Sequence, residues 1–254
     1  MASTFETGHS INVANGKTAK SSITAFGATY NPTKNAIKLP ALSTKIAAAD
    51  IAVKAVEPVK KPYDDSVDIR RDLYVQLDST TRSAVNAFSA TDGIDAEKEK
   101  ECRRLGNLIT GANVKKKTPP PPPDDAAPGT EPTTSTHSVS QQSYDKKAAN
   151  FRDLIAFLTA STYNPNETEL QVAALTTFAD SVDAANTDVD EKYIPYSAAL
   201  TTRDKELYFP ATGLVPLMTA VKKYVKSVAA LTATQKKQIT SLKFTTPAKK
   251  FLHF

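Results

Sequence analysis

The sequence predicts an all-α protein built as two tandem-duplicated helical bundles joined by a proline-rich linker. Three observations carry this expectation. Apolar residues recur at alternating spacings of three and four, as in Leu214, Leu217, Val221, Tyr224, Val228 and Leu231, which puts them on one stripe of a helix. No alternating run of β-branched residues between turn dipeptides reaches six residues, so strand signals are sparse. Short motifs also recur in the same order on either side of a run of prolines, the signature of an internal repeat.

The repeat is read at an offset of 133. Tyr30-Asn31-Pro32 matches Tyr163-Asn164-Pro165, and Ala41-Leu42-Ser43-Thr44 matches Ala174-Leu175-Thr176-Thr177. Pro62-Tyr63 matches Pro195-Tyr196, and Arg70 matches Arg203. Leu73-Tyr74 meets Leu207-Tyr208 one residue further on, and Ile23-Thr24-Ala25-Phe26 resembles Ile155-Ala156-Phe157 upstream. A collinear series that holds its offset this well reads as a tandem duplication. It divides the chain into a first bundle at 1–114, a linker at 115–137 and a second bundle at 138–254.

In the first copy, Leu39, Leu42, Ile46, Ala49, Val53 and Val56 form the apolar stripe, with Pro40 early in the helix. Pro62 falls inside an otherwise helical stretch, where it removes a backbone bond and clashes with the preceding turn, so a kink or break is expected there. The linker opens on Lys115-Lys116-Lys117, followed by five prolines at 119–123 and a Thr/Ser-rich run. Consecutive prolines favour an extended polyproline spacer and cannot sit inside a helix.

In the second copy, Asn166 ahead of Glu167-Thr168-Glu169 is an expected N-cap with acids in the first turn. Leu175, Phe178, Val182, Ala185, Val189 and Tyr196 continue the stripe, and Pro195 repeats the kink expected at Pro62. The helix from Gly213 to Leu231 is amphipathic, and its apolar side suits a bundle seam. Thr232-Ala233-Thr234-Gln235 fits a capping box ahead of a short last helix.

Several segments together resemble a family. They are Gly8-His9-Ser10-Ile11-Asn12-Val13 near the start, the Tyr-Asn-Pro motif before a Leu-rich helix, and Ser138-Val139-Ser140-Gln141-Gln142-Ser143-Tyr144-Asp145. The tail adds Lys222-Lys223-Tyr224-Val225-Lys226-Ser227 and Ile239-Thr240-Ser241-Leu242-Lys243-Phe244. They are similar to a group of two-part, internally duplicated helical proteins from Bacteroidota that carry no established activity. The likeness covers most of the chain and is strongest from Ser138 onward. It implies the two-part architecture and transfers no function.

The chemistry-bearing motifs are few. His9, His137 and His253 lie near the termini or in the linker, without HxxxH or Cys/His spacing, so no metal site is expected. Eight glycines form neither GxGxxG nor GxxxxGK[ST], which argues against phosphate cradles of the nucleotide-binding kind. The single Cys102 excludes an internal disulfide framework; flanked by arginines and with no histidine near it in sequence, it reads as a packed helix residue. Asp92-Gly93-Ile94-Asp95 offers too few oxygens for a calcium loop. No catalytic or cofactor residue is expected, and the chain reads as a non-enzyme with no cofactor. No apolar run of about 18 residues exists, so no transmembrane helix is expected. The start lacks the basic and apolar regions of a Sec-type signal, which suits the cytoplasm; export that leaves no such signal would look the same.

Charge is polarised along the second half. The net charge is +5. From Asn164 to Tyr193 there are seven acids, among them Asp180, Asp183, Asp188, Asp190 and Glu191, against the one base Lys192. From Gly213 onward there are eight lysines and no acid: Lys222, Lys223, Lys226, Lys236, Lys237, Lys243, Lys249 and Lys250. The two elements could complement each other inside one bundle, or they could form the acidic and basic faces of an intermolecular contact. The expected function is therefore a structural or scaffold protein with a protein partner, its own copies included. The alternative is a nucleic-acid-associated protein whose lysine-rich end tracks phosphate. The all-lysine composition weighs against that, because nucleic-acid readers favour arginine forks and exposed aromatics.

Overall fold

A computed structural model describes residues 4–112 and 142–247, and all regular structure among them is helical. The helices are α1 (Thr4–Phe26), α2 (Leu39–Lys54), α3 (Val56–Ser89), α4 (Ala96–Thr110), α5 (Tyr144–Thr159), α6 (Val172–Tyr208), α7 (Leu214–Ser227) and α8 (Ala233–Thr240). The proline-rich linker at 115–137 lies outside the described residues. None of the described helices is long and apolar enough to cross a membrane.

The chain forms two compact units, and their boundaries differ from the expected 1–114 and 138–254. One unit is drawn from Met1–Asp65 and Asp190–Phe254, the other from Ser66–Val189. The physical reason lies in the two longest helices. α3 has 34 residues and α6 has 37, so each is about 50 Å long at 1.5 Å per residue, more than one small bundle needs. Each helix therefore begins in one unit and ends in the other. The first unit holds α1, α2, α7 and α8 with the start of α3 and the end of α6; the second holds α4 and α5 with the remaining parts.

Each unit has its own core. In the first, Ile23 of α1, Leu42 and Ile46 of α2, and Leu214, Met218 and Val221 of α7 are buried together. In the second, Leu77 and Phe88 of α3, Cys102 and Ile109 of α4, Phe151 and Leu158 of α5, and Leu175 of α6 fill the centre. The predicted stripes supply many of these residues: Leu42, Ile46, Ala49, Leu175, Val182, Leu217 and Leu231 are all buried.

The two Tyr-Asn-Pro segments close in the same way. Tyr30 donates its hydroxyl to the Ile37 carbonyl at 2.8 Å, and Tyr163 donates to the Leu170 carbonyl at 3.0 Å. A 3-10 turn follows in each, at Asn35–Ile37 and at Thr168–Leu170. Asn166 is therefore not a helix N-cap. Glu167 stands at the N-terminal end of the 3-10 turn without a side-chain capping bond, and α6 starts only at Val172.

Helix breaks also fall elsewhere than expected. Pro62 and Pro195 both lie inside continuous helices. The interruption comes at Ala55, between α2 and α3. Pro58 accounts for it: its ring nitrogen cannot donate to the carbonyl of Lys54, four residues back, and its ring crowds that carbonyl. Pro58 then sits in the first turn of α3, where a missing N–H costs little. Pro40 is in the first turn of α2 for the same reason.

α7 stops at Ser227 rather than Leu231. Val228 and Leu231 keep the apolar spacing because both still pack on the first core from the connecting turn. The capping box forms as predicted. Gln235 N–H donates to Thr232 Oγ1 at 3.2 Å, and Thr232 N–H donates to Gln235 Oε1 at 2.9 Å.

Candidate functional site

The lysines split into anchors and free cations. Lys222 is half-buried, donates to the Leu242 carbonyl, and stands 5.3 Å from the centre of the Phe244 ring. Burial lowers its pKa, with the neighbouring Lys226 adding to the effect. It is a tether for the chain after α8, which removes it from the candidate interaction face. Lys223 and Lys226 on α7, Lys236 and Lys237 on α8, and Lys243 beyond it form no ion pair among the described residues. Lys226 and Lys237 occupy the last turns of their helices, where the backbone dipole favours a cation. Lys249 and Lys250 lie outside the described residues.

The acids are divided as well. Arg152 of α5 spans to α6, with Nη2 at 2.6 Å from both Asp180 Oδ1 and Asp183 Oδ2. These two carboxylates are thus engaged within the second unit, whereas the candidate lysines belong to the first. The complement expected inside one bundle does not form for them. Asp188 is half-buried, while Asp190 and Glu191 are exposed. Beside them on α6, Tyr193 is 51% and Ile194 69% exposed. Tyr63 stacks on Tyr196 at 5.2 Å with the ring planes 20° apart, and Tyr193 lies 5.7 Å from Tyr63. Exposed aromatic and aliphatic side chains are the part of this patch that suits a contact surface.

A buried polar network in the first unit had no counterpart in the sequence reading. His9, Asn12, Arg203 and Asp204 are all buried. Asn12 Nδ2 donates to the Tyr208 hydroxyl at 3.3 Å, and that oxygen is 2.6 Å from His9 Nδ1. Burial, reinforced by Arg203 and partly opposed by Asp204, lowers the His9 pKa to about 4, so the imidazole is neutral near pH 7. Arg203 Nε donates to Asp204 Oδ1 at 2.9 Å. The signal was present in Gly8-His9 and Asn12-Val13: positions three apart share a helix face.

The same network holds the chain beyond α8. Asn12 donates to the Thr245 carbonyl at 2.8 Å and accepts from the Thr245 N–H at 2.9 Å, and Asn15 donates to the Lys243 carbonyl at 2.6 Å. Residues 242–247 thus form a strap along α1.

In the second unit a cleft of about 400 Å³ opens between α3 and α4. Arg82 and Asn86 line it from α3, Arg103 and Asn107 from α4. Each pair is spaced four apart, so both members share one face of their helix. Gly106 sets the depth: a Cβ there would lie 2.7 Å from Val85 Cγ2. Thr81 also lines the cleft, is fully buried, and its hydroxyl has no hydrogen-bond partner. Arg103 is held by Glu99 through Nη2 at 2.6 Å; Arg82 makes no hydrogen bond or ion pair among the described residues.

Cys102 is buried in the second core, and desolvation pushes its thiol up to about 12, so it is packed rather than activated. Among the described residues no cluster of three or more His, Cys, Asp or Glu side chains could hold a metal ion. No family model, curated protein or solved structure matches the chain.

Proposed function

We propose that the protein is a non-enzymatic structural or scaffold protein that acts through protein–protein contacts, its own copies among the partners. The observation that carries this reading is the uncompensated basic face. Lys223, Lys226, Lys236, Lys237 and Lys243 have no acid neutralising them among the described residues, while Asp180 and Asp183 are taken by Arg152. Such cations are free to meet an external anionic surface, and Asp190 and Glu191 beside exposed Tyr193 and Ile194 offer one on a second copy.

The reading includes a tandem duplication, which would present two similar modules in one chain and raise effective concentration for a second contact. It is supported by the twin Tyr-to-carbonyl loops and by Tyr74 and Tyr208. Both tyrosines are buried, and each hydroxyl accepts from an asparagine, Asn186 and Asn12 respectively. The stacking of Tyr63 on Tyr196, which hold matching places in the two copies, supports it too.

Nucleic-acid binding is the second reading, favoured by the same free lysines; it predicts retention on DNA with a steep salt dependence. Light scattering after size exclusion, on nucleic-acid-free protein at several concentrations and two salt levels, tests the first. A mass that climbs with concentration and falls back in high salt is expected. The mass of one chain throughout, together with no protein retained from the native cell lysate, would overturn it.

A further inference from the structure

We propose that the cleft between α3 and α4 binds a small organic oxyanion, a phosphate or carboxylate group being gripped by Arg82 and Arg103 with Asn86 and Asn107 as flanking donors. At about 400 Å³ the cleft falls in the range of small-molecule sites, roughly 300–1,000 Å³. Its two walls carry the same arrangement, an arginine followed four residues later by an asparagine on one helix face. Guanidinium forks match carboxylate and phosphate oxygens in two-bond geometry, and carboxamides add neutral donors.

Charge in and around the cleft favours an anion. No acid lines it. An adjoining cavity of about 480 Å³ shares Arg103 and Asn107 and adds Lys100 and Arg104. The carboxylates nearby are engaged: Glu99 by Arg103, and Glu101 by Arg104 at 2.7 Å. Glu99 takes one edge of the Arg103 guanidinium, Nε and Nη2, leaving Nη1 for a ligand, while the Arg82 fork is wholly unengaged among the described residues.

Two further features border the cleft. The Thr81 hydroxyl is buried and has no hydrogen-bond partner among the described residues, which is costly for a polar group in a core. A Cβ at Gly106 would lie 2.7 Å from Val85 Cγ2, so the glycine lets α4 approach α3 closely at the base of the cleft.

The test uses the whole chain at constant ionic strength, titrated calorimetrically with pyrophosphate and with citrate, sodium chloride serving as the matched control. Saturable binding of either probe is expected, and which one binds separates a phosphoryl from a carboxylate ligand. Arg82→Gln and Arg103→Gln should each weaken binding by about tenfold or more, as loss of a charge-assisted contact implies. Both side chains are exposed, so these variants should unfold at the wild-type denaturant midpoint. Lys20→Gln/Lys34→Gln, at exposed positions in the other unit, should bind as the wild type does. Absence of saturable binding of both probes up to ~10 mM, wild-type affinity in the two arginine variants, or loss of binding in the lysine variant would overturn the proposal.

Discussion

His9 is the residue whose protonation the fold opposes most directly. Burial lowers its pKa most, the Arg203 guanidinium lowers it further and the Asp204 carboxylate partly opposes them, both of these groups being buried as well. Because its folded pKa lies near 4 rather than 6.5, the unfolded chain binds the proton more readily between those values. Its contribution is therefore complete above about pH 6.5 and is lost as pH falls towards 4, at most about 3 kcal/mol in all. Urea unfolding of wild type and His9→Gln at pH 7 and pH 4.5 checks this: the wild type should lose more stability on acidification than the variant. Equal losses would show that His9 is not the group responsible. The sequence showed His9 and Asn12 three residues apart, which is enough to place them on one face of α1. It did not show that Tyr208 and Thr245, roughly two hundred positions away, complete the network, because no local pattern encodes a partner that only tertiary folding supplies.

The elements were legible where their determinants are local. The Thr232 capping box and Pro40 early in α2 depend on residues within one or two turns, and both appear as expected; the apolar stripe from Leu214 does so as far as Ser227, where α7 ends. The helix is interrupted at Ala55 because the effect of Pro58 falls four residues upstream of itself, whereas Pro62 and Pro195 lie inside continuous helices. At Pro195 the helix runs on through buried Val189 and Leu200 on either side; packing of that stripe offsets the lost backbone bond. The strap after α8 is likewise an element made by tertiary contact. Asn12→Ala removes both bonds to Thr245 and one to Tyr208, which should cost about 1–3 kcal/mol. Hydrogen exchange at the Thr245 amide should quicken before global unfolding does; unchanged protection there would mean that Lys222 and Phe244 hold the strap without Asn12.

At the scale of the molecule, apolar stripes of similar spacing suit either core, so periodicity does not say which segments associate. The lengths of α3 and α6 bear on it, because each helix begins in one unit and ends in the other. The charge pattern followed the same course. Acids and lysines were visible as blocks, yet Arg152, outside both blocks, takes Asp180 and Asp183 and leaves the basic face without an internal counterpart among the described residues. Assembly through that face is the central claim, and sedimentation velocity of the wild type beside Lys223→Glu/Lys226→Glu/Lys236→Glu/Lys237→Glu tests it most directly. The wild type should form larger species in low salt that return to one chain in high salt, and the variant should stay a single chain in both. A variant that assembles as the wild type does, or a wild type that never assembles, would contradict it.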